Sequence, residues 1–260
     1  MWPEEPFKFI KIYAMDNRIN IQGTGFDNID YETFMENFRG FLQGNQKRTV
    51  AFINAHCVNI ARKDKEYKDI ISRFDLVLGD GAGLSLACAA NGTPLKENLN
   101  GTDLMPRIFK DMTPSEITFF FIGGRPGVAS EARNRLLKKC PGLKIVGCEH
   151  GYFDNTQGKN IVSRINETRP DVVLVAMGAP RQEKWIFYNR DSIETKALMA
   201  VGGFFDFASE TIKRAPRWMR QMRMEWLYRL IQEPGRLWRR YLFGNVEFLY
   251  NIYKDILQKF

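Results

Sequence analysis

Six times along the chain, a strand-length apolar run ends near Gly, Asn or Asp and gives way to a helical pattern. TVAFI (49–53) ends at Asn54, and LVL (76–78) at Gly79-Asp80-Gly81. ITFFFI (117–122) ends at Gly123-Gly124, and LKIVG (143–147) leads to His150-Gly151. DVVLVAM (171–177) ends at Gly178-Ala179-Pro180, and ALMAV (197–201) at Gly202-Gly203. Runs that are apolar throughout belong to strands buried on both faces; alternating with helices, they predict a parallel sheet in a three-layer α/β core. Ligands of such sheets sit beyond the carboxyl ends of the strands, so the residues at those ends are site candidates as a group. Ahead of the repeat, 8–13 and 18–21 read as a hairpin around Asp16-Asn17, and helical periodicity runs from about 30 to 43.

Past Phe207 the repeat stops, and the chain becomes helical, basic and aromatic, punctuated by Pro216 and Pro234. A boundary near 208–213 divides a core, 1–210, from an appendage, 211–260. Residues 213–260 hold eleven Lys/Arg against four Asp/Glu, so seven of the eight net positive charges lie there. The basicity therefore reports on the partner of the appendage. Trp218, Met219, Met222, Trp226, Leu230 and Leu237 recur at three- to four-residue steps, apart from a break near Pro234. Flanked by arginines, that stripe predicts an interfacial helix resting on an anionic membrane surface; packing of the same face on the core is the alternative. The spacing speaks against a nucleic-acid arm. Cys57, Cys88, Cys140 and Cys148 form no CxxC pair and read as reduced cysteines of a cytoplasmic protein. Residues 1–6 are acidic and Pro-rich, unlike a signal peptide, and no apolar run reaches the eighteen residues of a membrane span.

Five constellations could carry chemistry. In LGDGAG (78–83), Asp80 is either a helix N-cap or a general base, with Gly81 opening the backbone to a ligand. FFFIGGRPG (119–127) offers Gly123, Gly124 and Arg125 as a nucleotide cradle or a plain tight turn. In MGAPRQEKW (177–185), Gly178 shapes a turn, while Gln182 and Glu183 enter the next helix. Gln182 both donates and accepts, which suits a uracil edge or sugar hydroxyls, whereas Arg181 reads as a solvated surface residue. NAHCVN (54–59) places Asn54 and His56 at a strand end, His56 being an acid/base candidate or a structural histidine. In NGTDL (100–104), Asp103 starts a helix or binds a sugar. No metal-ligand spacing occurs, so a diphosphate leaving group would need arginines, and the appendage supplies most of them.

These motifs occur in one order: NAHCVNIARKD, LVLGDGAG, NGTDL, FIGGRPGVA, HGYF, MGAPRQE, VGGFFDFASETIKRAPRWM and EWLYRLIQEPGRLWRRY. As an ordered set, spanning about residues 10–243, they resemble the WecG/TagA/CpsF bacterial glycosyltransferases, glycosyltransferase family 26. The resemblance implies a Rossmann-like core with a C-terminal appendage that completes the active site. It also implies inverting, metal-independent transfer of a sugar from a UDP-sugar to a polyprenyl-diphosphate-linked sugar, on the cytoplasmic face of the membrane and without a cofactor. N-acetylmannosamine or a hexose would be the donor sugar, in teichoic-acid or exopolysaccharide assembly. Asp80 matches the proposed general base, and Gln182 matches a residue lining the site. The further candidates around the substrates are Asn54, His56, Gly81, Asn98, Asp103, Gly123, Gly124, Arg125, Gly178, Glu183 and Gly203. Arg214, Arg217, Arg220 and Arg223 are the appendage arginines expected to close over the diphosphate.

Two positions depart from the family pattern. Phe52 stands where many members have Thr, and Asn98 where many have Arg. A neutral Asn98 speaks against a carboxylate on the sugar it meets, and so against a uronic-acid donor. The rival reading is a non-catalytic sugar-nucleotide or RNA-binding protein. A homo-oligomer is left open.

Overall fold

The structure, a computed structural model, describes residues 18–113, 116–222 and 224–258. The six expected strands form within two residues of their sequence limits. They are β3 (Arg48–Ile53), β4 (Leu76–Gly79), β5 (Thr118–Gly123), β6 (Lys144–Glu149), β7 (Val172–Ala176) and β8 (Ala197–Ala200). Two short strands precede them, β1 (Arg18–Ile21) and β2 (Thr24–Asp27). The hairpin therefore differs from expectation. Residues 18–21 pair with 24–27 across Gln22-Gly23, while 8–13 and Asp16-Asn17 lie outside the described residues. Positive φ at both turn residues, 54° and 77°, is the mirror-image turn whose twist suits a hairpin. The Asn20 side chain accepts the Gly23 N–H at 2.8 Å and steadies the turn.

The eight strands form one sheet in the order β1-β2-β4-β3-β8-β7-β5-β6, parallel except for the β1/β2 hairpin. Side-chain alternation divides two apolar layers. Val50, Phe52, Phe119, Phe121, Val172 and Leu174 face a cluster shared with α1 (Tyr31–Gln43), α5 (Gly101–Met112), α6 (Val128–Lys139) and α9 (Phe204–Ala208). Ala51, Ile53, Phe120, Ile122, Val173 and Val175 face the other. That layer includes α2 (Ala55–Lys63), α3 (Lys65–Ser72), α4 (Ala82–Ala90), α7 (Asn155–Thr168) and α8 (Arg181–Asn189).

The appendage is a chain of short helices: α10 (Arg217–Gln221), α11 (Glu225–Gln232), α12 (Pro234–Trp238), a π-helical stretch (Arg239–Phe243) and α13 (Gly244–Leu257). Pro216 immediately precedes α10 and Pro234 opens α12, the positions where proline's missing N–H costs nothing. These breaks divide the expected stripe. Met219 and Leu237 are buried, whereas Trp218 and Met222 are exposed. The longer exposed apolar surface is on the last helices instead. Leu242, Val246, Leu249, Tyr250, Tyr253 and Leu257 recur at helical spacing along one face. The opposite side of α13 seals the core: Phe248 is fully buried and Ile252 nearly so. Gly83 lets α4 lie close to α2, since a Cβ there would come within 3.2 Å of the Ala55 Cβ. Asn59 Nδ2 donates to the Gly244 carbonyl at 2.7 Å, and Lys63 pairs with Glu247 at 2.7 Å, fastening α13 to α2.

Candidate active site

Strand order fixes what the sheet presents at its carboxyl edge. Across β4, β3, β8, β7 and β5, the residues just past the strands are Asp80, Asn54, Gly202, Gly178 and Gly124. A carboxylate thus stands at one side of a glycine-rich row. Gly124, Gly178 and Gly202 have φ of 67°, 77° and 59°, which an L side chain rarely adopts. They line a cleft of about 890 Å³ together with Asn54, His56, Asp80, Arg125 and Gly203. Gly123 lies just below, in β5. A side chain there would strike the Ala176 carbonyl, which would be 2.2 Å away, so this glycine serves strand packing. The expected helix opening after Gly124 comes later: α6 begins at Val128, behind Gly127.

Asp80 is not a helix cap. Gly81, with φ 90°, occupies the N-cap of α4, and no side chain caps that helix. The Asp80 N–H donates to Ile53 O at 2.7 Å, which fixes its backbone to the neighbouring strand. Burial pushes its carboxyl up to about 6, against the opposing hydrogen bond from the Asn54 side chain and the charge of Arg240. Asn54 also caps α2, its Oδ1 accepting from His56 N at 3.1 Å and Cys57 N at 3.3 Å. The other end of that amide is thereby directed at Asp80. Burial and Arg240 together push His56 down to about 4, which leaves a neutral imidazole beside the carboxylate.

A second cleft, of about 610 Å³, meets the first at Asn54, His56, Asp80, Thr102, Arg229 and Arg240. Its far wall is apolar, with Leu86, Trp226, Leu242, Val246, Phe248 and Leu249, and it reaches the exposed face of α13. Gly81, Asn98 and Asp103 line this second cleft. Asn98 Oδ1 accepts the Gly81 N–H at 2.8 Å, so it braces the turn that carries Asp80.

The appendage delivers different arginines from those expected. Arg229, Arg236, Arg239 and Arg240 line the first cleft, joined from the core by Arg125 and by Arg181, which is exposed as expected but stands at the cleft. Arg214 is engaged elsewhere: it bridges Asp103 at 2.9 Å and Glu225 at 2.7 Å, and its guanidinium lies 5.3 Å from the Phe207 ring centre. Arg229 covers the same ring at 4.9 Å, and Arg214 lines neither cleft. Arg217 is exposed and lines neither cleft, Arg220 lines only the second, and Arg223 lies outside the described residues. Asp206, among Arg229, Arg236 and Arg125, lines the first cleft and was missed in the sequence; burial raises its carboxyl despite those arginines.

Three further candidates are engaged by neighbouring protein groups. Asp103 sits in the first turn of α5, whose N-cap is Asn100, and the two side chains join at 2.8 Å. Gln182 touches the first cleft but is 3% exposed, and its amide is held by protein partners rather than free for a uracil edge. Glu183 is fully buried and lines neither cleft. Phe52, 7% exposed, forms apolar floor in the first cleft. All four cysteines are free thiols. Among the described residues, no three His, Cys, Asp or Glu side chains converge as a metal site, and no helix is long and apolar enough to cross a membrane.

The family model of the Glycosyl transferase WecG/TagA/CpsF family matches residues 19–260, all the elements just described. The chain belongs to this family. It is 30% identical over 225 residues to the N-acetylglucosaminyldiphosphoundecaprenol N-acetyl-beta-D-mannosaminyltransferase of Staphylococcus aureus strain MRSA252, covering 85% of this chain and 87% of that one. The proteins of the same name from strains MW2 and NCTC 8325 match with the same identity and coverage. Within a WecG/TagA/CpsF glycosyltransferase, two clefts meeting at one raised-pKa carboxylate have a direct chemical use. Two ligands can approach the Asp80 carboxyl at the junction from two sides.

Proposed function

We propose that this glycosyltransferase moves a sugar from a UDP-sugar to a polyprenyl-diphosphate-linked sugar during bacterial cell-surface polysaccharide assembly. The observation that carries the reading is the junction of the clefts at Asp80. The first cleft, lined by glycine turns and six arginines, suits a nucleotide diphosphate. The second, apolar and open toward α13, suits a lipid-linked acceptor. The names of the Staphylococcus aureus relatives specify an undecaprenol-diphosphate acceptor and an N-acetylmannosaminyl group, and we carry that substrate class to this chain.

Asp80 accepts the proton of the acceptor hydroxyl as its oxygen bonds to the anomeric carbon. The bond from that carbon to the diphosphate breaks, and UDP leaves with the electron pair. Approach from the second cleft places the attacking oxygen opposite the leaving group, which inverts the centre. Arg125, Arg229, Arg236, Arg239 and Arg240 balance the charge that develops on the diphosphate, so the reading needs no metal ion. Asn98 lines the acceptor side, so its neutrality bears on the acceptor sugar more than on the donor. In functional terms, 1–210 supplies the base and the cradle, and 211–260 supplies the cations and the lipid contact. The test is incubation with a panel of UDP-sugars and a short-chain prenyl-diphosphate-linked N-acetylglucosamine, followed by product mass. UDP release without a lipid-linked product, or no reaction with any donor, sinks the reading.

The exposed face of α13 is the surface on which the enzyme rests on the inner leaflet, with its apolar residues toward the acyl boundary. Tyr253 and Leu257 lie on this face and line neither cleft. The double variant Tyr253→Glu/Leu257→Glu is expected to lose flotation with phosphatidylglycerol liposomes while still using a water-soluble short-chain acceptor. Undiminished flotation would place the membrane contact elsewhere.

A further inference from the structure

Gln182 joins two turns that are separate in sequence. Its Oε1 accepts the Gly178 N–H at 3.2 Å and the Gly202 N–H at 3.1 Å. Those glycines follow the neighbouring strands β7 and β8, and both line the first cleft. The arrangement works with the amide in one orientation only. Turned over, the Gln182 NH₂ would confront two N–H donors, leaving buried groups unsatisfied at a cost well above that of a missing surface bond.

What sets the orientation is the residue next along the helix. Glu183 Oε1 accepts from Gln182 Nε2 at 2.7 Å, with the Ala200 carbonyl a longer second acceptor at 3.4 Å. Glu183 reaches no ligand, being wholly buried beneath the cleft, and its second oxygen has no partner among the described residues. A buried carboxyl is a costly way to fill space. Burial pushes it up to about 7, against the Gln182 hydrogen bond, yet Oε1 remains an acceptor in the protonated and the ionised form alike.

We propose that Glu183 is a positioning residue: through the Gln182 amide it fixes the spacing of the Gly178 and Gly202 turns that form the floor of the donor cleft. The role rests on reading the first cleft as the donor site. It needs a hydrogen-bond acceptor at position 183 and does not need a charge there, so the neutral amide of Glu183→Gln should serve as well.

The test uses the full-length protein labelled with ¹⁵N-glycine, with Glu183→Leu and Glu183→Gln compared. In Glu183→Leu, the Gly178 and Gly202 amide signals should shift and exchange with solvent about tenfold faster, the factor expected for one lost hydrogen bond. Donor KM should rise by about the same factor, with a smaller change in kcat and no movement of the pH profile. Glu183→Gln should restore both signals and KM. If the Leu variant does not fold, the exchange Gln182→Glu/Glu183→Gln keeps an acceptor on both glycines and a donor–acceptor pair between the side chains. That exchange should recover what Gln182→Glu alone loses. Unmoved glycine signals in Glu183→Leu overturn the staple, as does a Gln variant as impaired as Leu. Shifted signals with an unchanged donor KM overturn the positioning role. Both are distinct from failure of the donor reading, in which the unaltered protein transfers from no UDP-sugar.

Discussion

Asp80→Asn lowers kcat by about 10²–10⁴-fold, the usual worth of a positioned general base, and leaves donor affinity within a few-fold. The amide keeps the shape and a hydrogen bond to Asn54 but cannot accept the acceptor proton. The unaltered enzyme supplies an internal check through pH. Burial raises the Asp80 carboxyl to about 6, so the base is protonated and idle below that pH and free above it. The acidic limb of kcat/KM should therefore rise through about pH 6, and Asp80→Asn should abolish it. His56, pushed down to about 4, is already neutral there and contributes no second limb at that pH. The raised carboxyl also has a stability consequence. A carboxyl whose folded pKa exceeds its unfolded value opposes folding once ionised, so the opposition is absent at low pH and grows as pH passes the unfolded value near 4. At pH 7 Asp80→Asn should gain up to about 3 kcal/mol, because raising a pKa by one pH unit takes about 1.4 kcal/mol. An Asn variant with near-normal turnover would remove Asp80 from the chemistry.

Arg229→Gln is the second large effect. Arg229 borders both clefts, stacks at 4.9 Å on Phe207, and has a buried Nε with no partner among the described residues. In the proposed reaction, a cation so placed stabilises charge on the departing diphosphate while standing next to the acceptor. Its loss should lower kcat roughly 10²–10³-fold, the range seen when one preorganised donor to a developing oxyanion is removed. Arg229→Lys should recover little, because an ammonium cannot match the planar, two-pronged contact with a phosphate or the stacking on the ring. A variant within threefold of the parent would mean that the diphosphate lies away from α11.

Strands β3, β4, β5, β7 and β8 were legible in the sequence because they are buried on both faces, and burial leaves a nearly uninterrupted apolar run; β6, at the sheet edge, is partly exposed. β2 escaped for the opposite reason. TGFD is four residues with a glycine and an acid, and it meets β4 at the single pair Asp27–Leu78. Asp80 and the glycine turns were legible because strand ends in this architecture point to the site. The appendage was legible as a source of arginines but not as a choice among them. The family resemblance drew the reading to 214–223, yet Arg214 is neutralised by Asp103, a residue of the distant α5 start, and no local pattern announces that pairing. The exposed face of α13 was passed over because its positive charge is sparse, although its apolar spacing is regular. Gln182 was read from its hydrogen-bonding capacity, but capacity does not name partners, and its amide meets Gly178, Gly202 and Glu183.

The strand order also governs when the protein can become an enzyme. β8 lies between β3 and β7 at the middle of the sheet, and Arg48 pairs with Ala197. About 150 residues must be made and brought back before those partners meet, a long loop of the kind that slows folding. Until β8 inserts, Asn54 and Gly178 belong to two unjoined half-sheets, and no nascent fragment ending before it can hold the cleft. Folding of this chain should accordingly be limited by a late central insertion, with the C-terminal helices settling onto the finished sheet last.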